Sequence, residues 1–253
     1  MNLLVIGGGG REHAIVKKLK ENPAVETIYC APGNGGIAAD AVCVPEIGAK
    51  DISAQVDFAK THSIDFAVVA PDDPLVLGAV DALEAAGIPC FGPEAKAAII
   101  EGSKVFSKDL MKKYGIPTAE YQVFTDAAAA MDYVKSCALP VVVKADGLAL
   151  GKGVLIAETR EDAVAAVESI MLDRAFGDSG NQVVIEEFLT GPEVSVLAFT
   201  DGKTVVPMVS SMDHKRAHDH DEGLNTGGMG TVAPNPYYTC LLYTSDAADD
   251  TPC

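Results

Sequence analysis

The chain has 253 residues, 48% apolar and 22% charged, which suffices for one large domain or two smaller ones with a sizeable core. A net charge of −17 and a pI near 4.5 argue against non-specific binding to nucleic acid or to anionic membranes, because both are polyanions. No apolar run reaches the roughly 18 residues of a membrane span, and MNLLVIGGGG lacks a basic n-region, so it reads as a strand and not as a signal peptide. Cys30, Cys43, Cys90, Cys137, Cys240 and Cys253 form no C-x-x-C pair. Neither a zinc site nor a disulfide framework is expected, and reduced thiols in a cytoplasmic protein are.

Apolar β-rich runs alternate with helix-like stretches from the start. Leu3 to Ile6 is a buried-strand run, and the glycines after it open a helix near Arg11. Glu26 to Cys30 and Ala41 to Val44 read as strands, and Ile52 to Thr61 as a helix with Ile52, Val56 and Ala59 on one face. Phe66 to Ala70 is a strand ending at Pro71; Leu75 to Ala86 is a helix stopped by Gly87; Pro89-Cys90-Phe91 starts a last strand. This alternation predicts an α/β domain with a doubly wound parallel sheet over residues 1–101.

From residue 102 the pattern changes. Ser103 caps a helix over 103–114 that Gly115-Ile116-Pro117 ends, and Asp126 to Ser136 is an alanine-rich helix. Val141 to Lys144 and Val154 to Ala157 are strands joined by a glycine-rich stretch, Ala145 to Gly153. A helix over Glu161 to Leu172 and strands at Val183 to Ile185, Val194 to Phe199 and Val205 to Val209 follow, the last two around an Asp201-Gly202 turn. Residues 210–236 are polar and glycine-rich and predict a long functional loop with no long element. Cys240 to Cys253, CLLYTSDAADDTPC, breaks with the preceding composition and resembles the translation of a transposon-end adapter used in sequencing libraries. It is therefore set aside as a non-native tail, with the second domain taken as 102–239 and its small clamping lobe as about 123–190.

Four segments carry chemistry. Gly7-Gly8-Gly9-Gly10-Arg11-Glu12-His13 follows a strand and opens a helix, where backbone N–H groups meet an anion. The dinucleotide fingerprint G-x-G-x-x-G would need a third glycine, and Glu12 or His13 stands there, so a nicotinamide enzyme is disfavoured against a smaller phosphate ligand. A tight turn without a ligand is the plainer alternative. Asn34-Gly35-Gly36 and Pro71-Asp72-Asp73-Pro74 end other strands, on the edge where open parallel sheets bind ligands. Lys144 to Val154, KADGLALGKGV, is no Walker A loop: three residues, not four, separate Gly147 from Gly151, and Gly153 follows the lysine. A glycine hairpin between antiparallel strands can instead close over a triphosphate with Lys144 neutralising charge. Glu186-Glu187-Phe188-Leu189 suits a strand whose backbone meets an adenine edge, with a carboxylate beyond it for ribose. In Asp213 to Met229 the histidines His214, His218 and His220 have no fixed helical spacing, so a substrate-gripping loop is favoured over a metal site.

Together GGGGREHA, PGNGG, FGP with EGSK, VVVKADGLALGKGV, EEFLTGPEVS and DHKRAHDHDEGLNTGGMG resemble the phosphoribosylamine–glycine ligase (glycinamide ribonucleotide synthetase) family of the ATP-grasp superfamily, over residues 1–239. The resemblance implies a Rossmann-like N-terminal domain and an incomplete ATP-grasp domain. It implies ATP with Mg2+ or Mn2+ as cofactors, phosphoribosylamine and glycine as substrates in purine biosynthesis, and a monomeric full-length parent. By position, it places Gly10, Arg11, Glu12, Asn34, Gly35 and Asp72 on phosphoribosylamine. It places Lys104, Lys144, Gly147, Leu148 and Gly153 on ATP phosphates, Glu186, Glu187, Phe188 and Leu189 on adenine, and Glu193 on ribose. Asp213 and Lys215, with Asn225, Thr226, Gly227, Gly228 and Met229, would hold substrates and the acyl phosphate, Asp213 and Lys215 as catalytic residues. Asp72-Asp73 and Leu224 depart from the common pattern. The family's metal ligands, a glutamate and an asparagine in a later E-x-N-x-R-like strand, have no counterpart here, so the expected metal ligand set is none and the chain as written is expected to be inactive. Two alternatives stand beside it: a non-catalytic nucleotide-binding fragment, and another ATP-grasp carboxylate–amine ligase.

Overall fold

The computed structural model describes residues 1–148 and 153–239. The tip of the glycine-rich stretch and the adapter-like tail lie outside those residues. The chain divides into two compact units: the first is Met1–Thr118 with Ala145–Leu148 and Gly177–Val184, and the second holds the other described residues.

In the first unit the elements run β1 (Asn2–Gly7), α1 (Gly10–Lys20), β2 (Thr27–Pro32), β3 (Val42–Cys43), α2 (Ile52–Thr61), β4 (Phe66–Val69), α3 (Asp72–Val76), α4 (Ala79–Ala85), β5 (Cys90–Phe91), α5 (Ala95–Gly102) and α6 (Lys104–Tyr114). The five strands form one parallel sheet in the order β3-β2-β1-β4-β5. Strand alternation on β1 divides the core in two. Leu4 and Ile6 pack with Ala59, Ile64, Ala79, Val80 and Leu83 on one face, and Leu3 and Val5 pack with Val16, Ile28 and Ile37 on the other. Both faces are covered, which is why Leu3 to Ile6 reads as an unbroken apolar run. Each such side chain stabilises the fold by about 1.5–3 kcal/mol on burial.

Three expectations for this unit change. The single helix over Leu75 to Ala86 is two helices, α3 and α4, because Gly78 sits at φ +85°, a left-handed turn that ends the first. Helix α5 was absent from the sequence reading; Glu94 at its start makes no side-chain cap, so the usual entry signal is missing. On α2, Gln55 is fully buried beside the expected apolar face, its Nε2 donating to the Gly48 and Ala49 carbonyls at 3.0 and 2.8 Å. Ser103 caps α6 as expected, accepting from the Phe106 N–H at 3.1 Å, and Gly115 ends it at φ +67°.

The second unit carries β6 (Tyr121–Phe124), α7 (Ala127–Val134), β7 (Val141–Ala145), β8 (Val154–Ala157), α8 (Arg160–Val167) and β9 (Val183–Glu187), with the four strands in the order β6-β9-β7-β8. Strands β7 and β8 are antiparallel, Lys144 opposite Val154. The helix expected to Leu172 leaves α geometry at Glu168 and finishes as a π-helical turn. Strand β10 is shorter than expected, Ala198–Thr200, and turns through Asp201-Gly202 into β11, Val205–Pro207. The largest correction is at residues 210–236. They hold a two-stranded antiparallel ribbon, β12 (Met212–His218) and β13 (Glu222–Val232), with irregular register between His214 and Arg216 and between Arg216 and His218. Most described ribbon residues are exposed, so no apolar alternation marks them and backbone pairing holds them. No helix among the described residues is long and apolar enough to cross a membrane.

Two outcomes follow. Cys30, Cys43, Cys90 and Cys137 are free thiols. Burial, helped by Cys43 and Glu12, pushes the Cys30 thiol up to about 12, and burial with Glu84 does the same to Cys90. Since the thiolate is the reactive form, peptide mapping after alkylation at neutral pH should show both unlabelled until denaturant is added. Asp40 accepts from His13 at 2.9 Å and from Lys20 at 3.1 Å, tying α1 to the segment after β2. These bonds, His13 first, hold its carboxyl below the usual range. Its contribution to stability is present above the unfolded carboxylate value of about 3.9 and is lost as pH falls through the lower folded value. The stability gap between the native chain and Asp40→Asn, measured by urea unfolding, should hold at neutral pH and close below about pH 4.

Candidate functional site

At the carboxyl edge of the parallel sheet, β1 runs into Gly7–Gly10, β2 into Gly33–Gly36 and β4 into Ala70–Asp73. The strand order steps outward from β1 to β2 and β3 on one side, and to β4 and β5 on the other. The crevice between the β1 and β4 loops is thus the switch point at which such sheets bind ligands. A cavity of about 340 Å³ opens there, lined by Arg11, Ala70, Asp72, Leu75, Val76, Pro93, Ala98 and Glu101. Arg11 and Asp72, expected at the substrate, share it.

The other expected contacts in these loops divide by role. A Cβ on Gly7 would lie 2.5 Å from Glu12 Cγ, and one on Gly8 would lie 2.7 Å from the Gly33 carbonyl oxygen, so these glycines answer to packing between loops. At Gly10 and Gly35 a Cβ would meet nothing within 4 Å, leaving room for a ligand. Glu12 is buried and its Oε2 accepts from the Gly9 N–H at 2.5 Å, a carboxylate closing its own helix start. Asn34 donates to the Gly8 carbonyl at 2.8 Å and accepts from the Gly36 and Ile37 N–H groups at 2.8 and 2.9 Å. Glu12 and Asn34 therefore shape the loops, while Gly10, Arg11 and Gly35 face outward.

A second cluster in the first unit surrounds Lys104. Its Nζ donates to the Gly147 carbonyl at 2.7 Å. Burial pushes its ammonium down from the ordinary lysine range, against the opposing charges of Asp146 and Glu101. Gly147 has φ +104°, and a Cβ there would lie 2.8 Å from Ser179 Oγ. Leu148, half-buried, follows it. Asp146 escaped the sequence reading, although it stands inside the glycine motif: it accepts from Ser103 Oγ, the Val105 N–H and Gln182 Nε2.

In the second unit Lys144 on β7 pairs with Glu186 on β9, whose side chain is 4% exposed. Gly153 is buried just before β8. Glu187 accepts from the Glu120 N–H at 3.0 Å and its own N–H donates to the Glu120 carbonyl, so it stitches the edge strand β6 to β9. Beyond β9 a cavity of about 540 Å³ brings together Phe188, Leu189, Thr190, Gly191, Pro192 and Glu193 with Ile156, Met212, Asp213, His214, Lys215, Arg216 and Tyr237. Lys215 Nζ lies 3.1 Å from Glu193 Oε2, and Asp213 Oδ1 accepts from Thr231 Oγ1 at 2.8 Å. Asn235, also unread in the sequence, is buried and donates to the Glu193 and Ser211 carbonyls at 2.8 and 3.1 Å, joining the two sides of this cavity.

Not all the expected substrate residues converge. Met229 lines a separate cavity of about 320 Å³ with His214, Arg216, Ala217, His218, Asp219 and His220. Thr226 Oγ1 accepts from the Gly228 N–H at 3.0 Å, shaping the ribbon around a glycine at φ +118°. Asn225 and Gly227 lie on β13. Within the second unit the groups around the cavity beyond β9, an apolar wall of Phe188 and Leu189 beside the Glu193 carboxylate, suit a nucleoside. They do not suit a metal ion, because among the described residues no group of three or more His, Cys, Asp or Glu is placed to hold one.

Comparison with known proteins agrees along the chain. Residues 1–101 match the phosphoribosylglycinamide synthetase N domain, and residues 102–247 match its ATP-grasp (A) domain. The chain is 53% identical over 237 residues to a phosphoribosylamine–glycine ligase of Listeria monocytogenes serotype 4b, covering 94% of this chain and 56% of the relative. It is 51% identical over 240 residues to that of Escherichia coli K12, with the same coverage of each. A crystal structure of phosphoribosylamine–glycine ligase from Thermotoga maritima superposes with a TM-score of 0.76 at 33% identity, over 91% of this chain and 55% of that one. The chain thus spans about half the length of the curated relatives it matches. A five-stranded parallel sheet with glycine loops after β1 and β2, a four-stranded sheet with an antiparallel β7–β8 pair, and these matches agree: the chain belongs to the phosphoribosylglycinamide synthetase family.

Proposed function

We propose that this sequence carries the substrate loops and much of the nucleotide site of an ATP-dependent ligase that joins phosphoribosylamine to glycine. The observation that carries the reading is the cavity in which Phe188, Leu189 and Glu193 meet Asp213 and Lys215, although they come from separate motifs. In the second unit adenine lies against Phe188 and Leu189 and the strand that ends at Glu187, ribose reaches Glu193 and Lys144 takes phosphate; in the first unit Lys104 is a phosphate contact. Phosphoribosylamine occupies the sheet-edge crevice, its phosphate over Gly10 and Gly35 and beside Arg11.

In that reaction a glycine carboxylate oxygen attacks the γ-phosphorus of ATP. The bond to the β–γ bridging oxygen breaks, and glycyl phosphate and ADP form. The amine of phosphoribosylamine then attacks the glycyl carbonyl, expels phosphate, loses a proton and leaves an amide. Both steps are served mainly by positioning and by cationic side chains where negative charge gathers. In this reading Lys215 neutralises the acyl phosphate, and Thr231 donates to Asp213 beside it. Magnesium or manganese would supply further charge neutralisation at the ATP phosphates. Free thiols at the four described cysteines support a reducing, cytoplasmic setting.

A second reading applies to the chain as written: nucleotide binding without turnover, favoured by its spanning about half the length of its relatives. Calorimetric titration with ATP should show binding, and incubation with glycine and phosphoribosylamine should release ADP only from a protein that spans the relatives' full length. No ATP binding by this chain would remove both readings.

The two lysines should separate when mutated. Lys144→Met removes a cation paired with the buried Glu186, so it should lower stability in urea unfolding and also weaken ATP. Lys104→Met removes an ammonium that burial already disfavours, so stability should change little. ATP affinity should fall about 10- to 100-fold, the loss of a charged hydrogen bond.

A further inference from the structure

We propose that Asp146 is a positioning residue for the nucleotide-phosphate site, holding Lys104 and the start of the glycine-rich segment in one frame. The inference rests on the reading of Lys104 as a phosphate contact. Its basis is where the Asp146 carboxylate lies and how fully it is used. Oδ1 accepts from the Val105 N–H at 3.1 Å, one of the first-turn donors of α6 that the helix cannot satisfy itself. Ser103 takes the next one, the Phe106 N–H, and its own hydroxyl lies 3.1 Å from both Asp146 oxygens. The hydroxyl and the carboxylate therefore divide the start of the helix between them, and a carboxylate is also the favoured charge at that end.

Oδ2 accepts from Gln182 Nε2 at 2.6 Å, and the Asp146 N–H donates to the Gln182 carbonyl at 3.3 Å. Both the main chain and the side chain of residue 146 are thus bound to the segment that enters β9. The next residue, Gly147, can turn only as glycine, at φ +104° with Ser179 Oγ 2.8 Å from where a Cβ would stand. That turn aims its carbonyl at Lys104 Nζ, 2.7 Å away. One dipeptide therefore grips α6 twice: the aspartate holds the helix start, and the glycine carbonyl holds the first lysine of that helix. Without the aspartate, Lys104 loses its fixed place.

The test exchanges the two partners. Asp146→Asn removes the carboxylate charge and leaves one acceptor oxygen where two accepted, whereas Asp146→Asn combined with Gln182→Glu returns a carboxylate to the pair, with the amide of residue 146 donating to it. Acylation of lysines by an N-hydroxysuccinimide ester, followed by mass spectrometry, reads Lys104 with buried Lys108 of the same helix as control. Lys104 should react about tenfold faster in Asp146→Asn, the loss of one charged hydrogen bond, and should return to within about twofold of the native rate in the double variant. Binding of a fluorescent ADP analogue should weaken and recover in parallel. An unchanged Lys104 rate in the single variant, a double variant that fails to recover, or a rise shared equally by Lys108 each overturns the proposal. A native chain that does not bind the ADP probe overturns the phosphate reading of Lys104, and with it the nucleotide role, while the acylation rates still decide whether Asp146 positions that lysine.

Discussion

Gly8 passes so close to Gly33 that a single added carbon would lie 2.7 Å from its carbonyl oxygen, and Gly7 is as close to the Glu12 side chain. This approach of backbones at the carboxyl edge of the parallel sheet sets much else in the first unit. It needs β1 buried on both faces, so that its end is fixed to within the tolerance of packed side chains. It needs Glu12 to close the helix start from inside and Asn34 to bridge one loop to the next. What remains facing outward, at Gly10, Arg11 and Gly35, is then presented by a rigid frame.

Buried charge is handled by the same economy of partners. Glu12 is held by a backbone N–H, Lys108 donates to Thr118 at 2.8 Å, and Glu186 has Lys144. Burying a charge is costly unless it is paired or hydrogen-bonded, and each of these has its compensation. Lys104 differs: it is half-buried against a neutral carbonyl, with Asp146 and Glu101 acting at longer range. Among the described residues it has no direct counter-ion, and a phosphate can satisfy such a cation, which agrees with its proposed place on ATP.

Much of the fold was legible because local signals and packing agreed. Leu3 to Ile6, Ala67 to Val69 and Val141 to Val143 are apolar runs whose burial on both faces leaves little else for them to be. Ser103 and Gly115 mark their helix because a side-chain cap and a left-handed turn are written in single residues. The legible signals fail where those letters are missing or compete. Helix α5 has no side-chain cap, and Gly78 breaks what apolar spacing alone would continue. The ribbon of β12 and β13 is held by backbone bonds between exposed strands, which leave no trace in hydrophobic periodicity.

The sequence by itself determined the family, through motifs long enough to be specific, together with the parallel-sheet class and the glycine loops that close approach demands. It could name Glu12, Asn34 and Glu187 as residues of those motifs. Only the tertiary structure decided that their side chains bind their own loops and strands, because which partner a carboxylate or amide meets depends on segments far away in the chain. Asp146 and Asn235 make the same point. Each is an ordinary polar residue in the sequence, and each becomes a joint only when folding brings Gln182 to the one and Glu193 to the other.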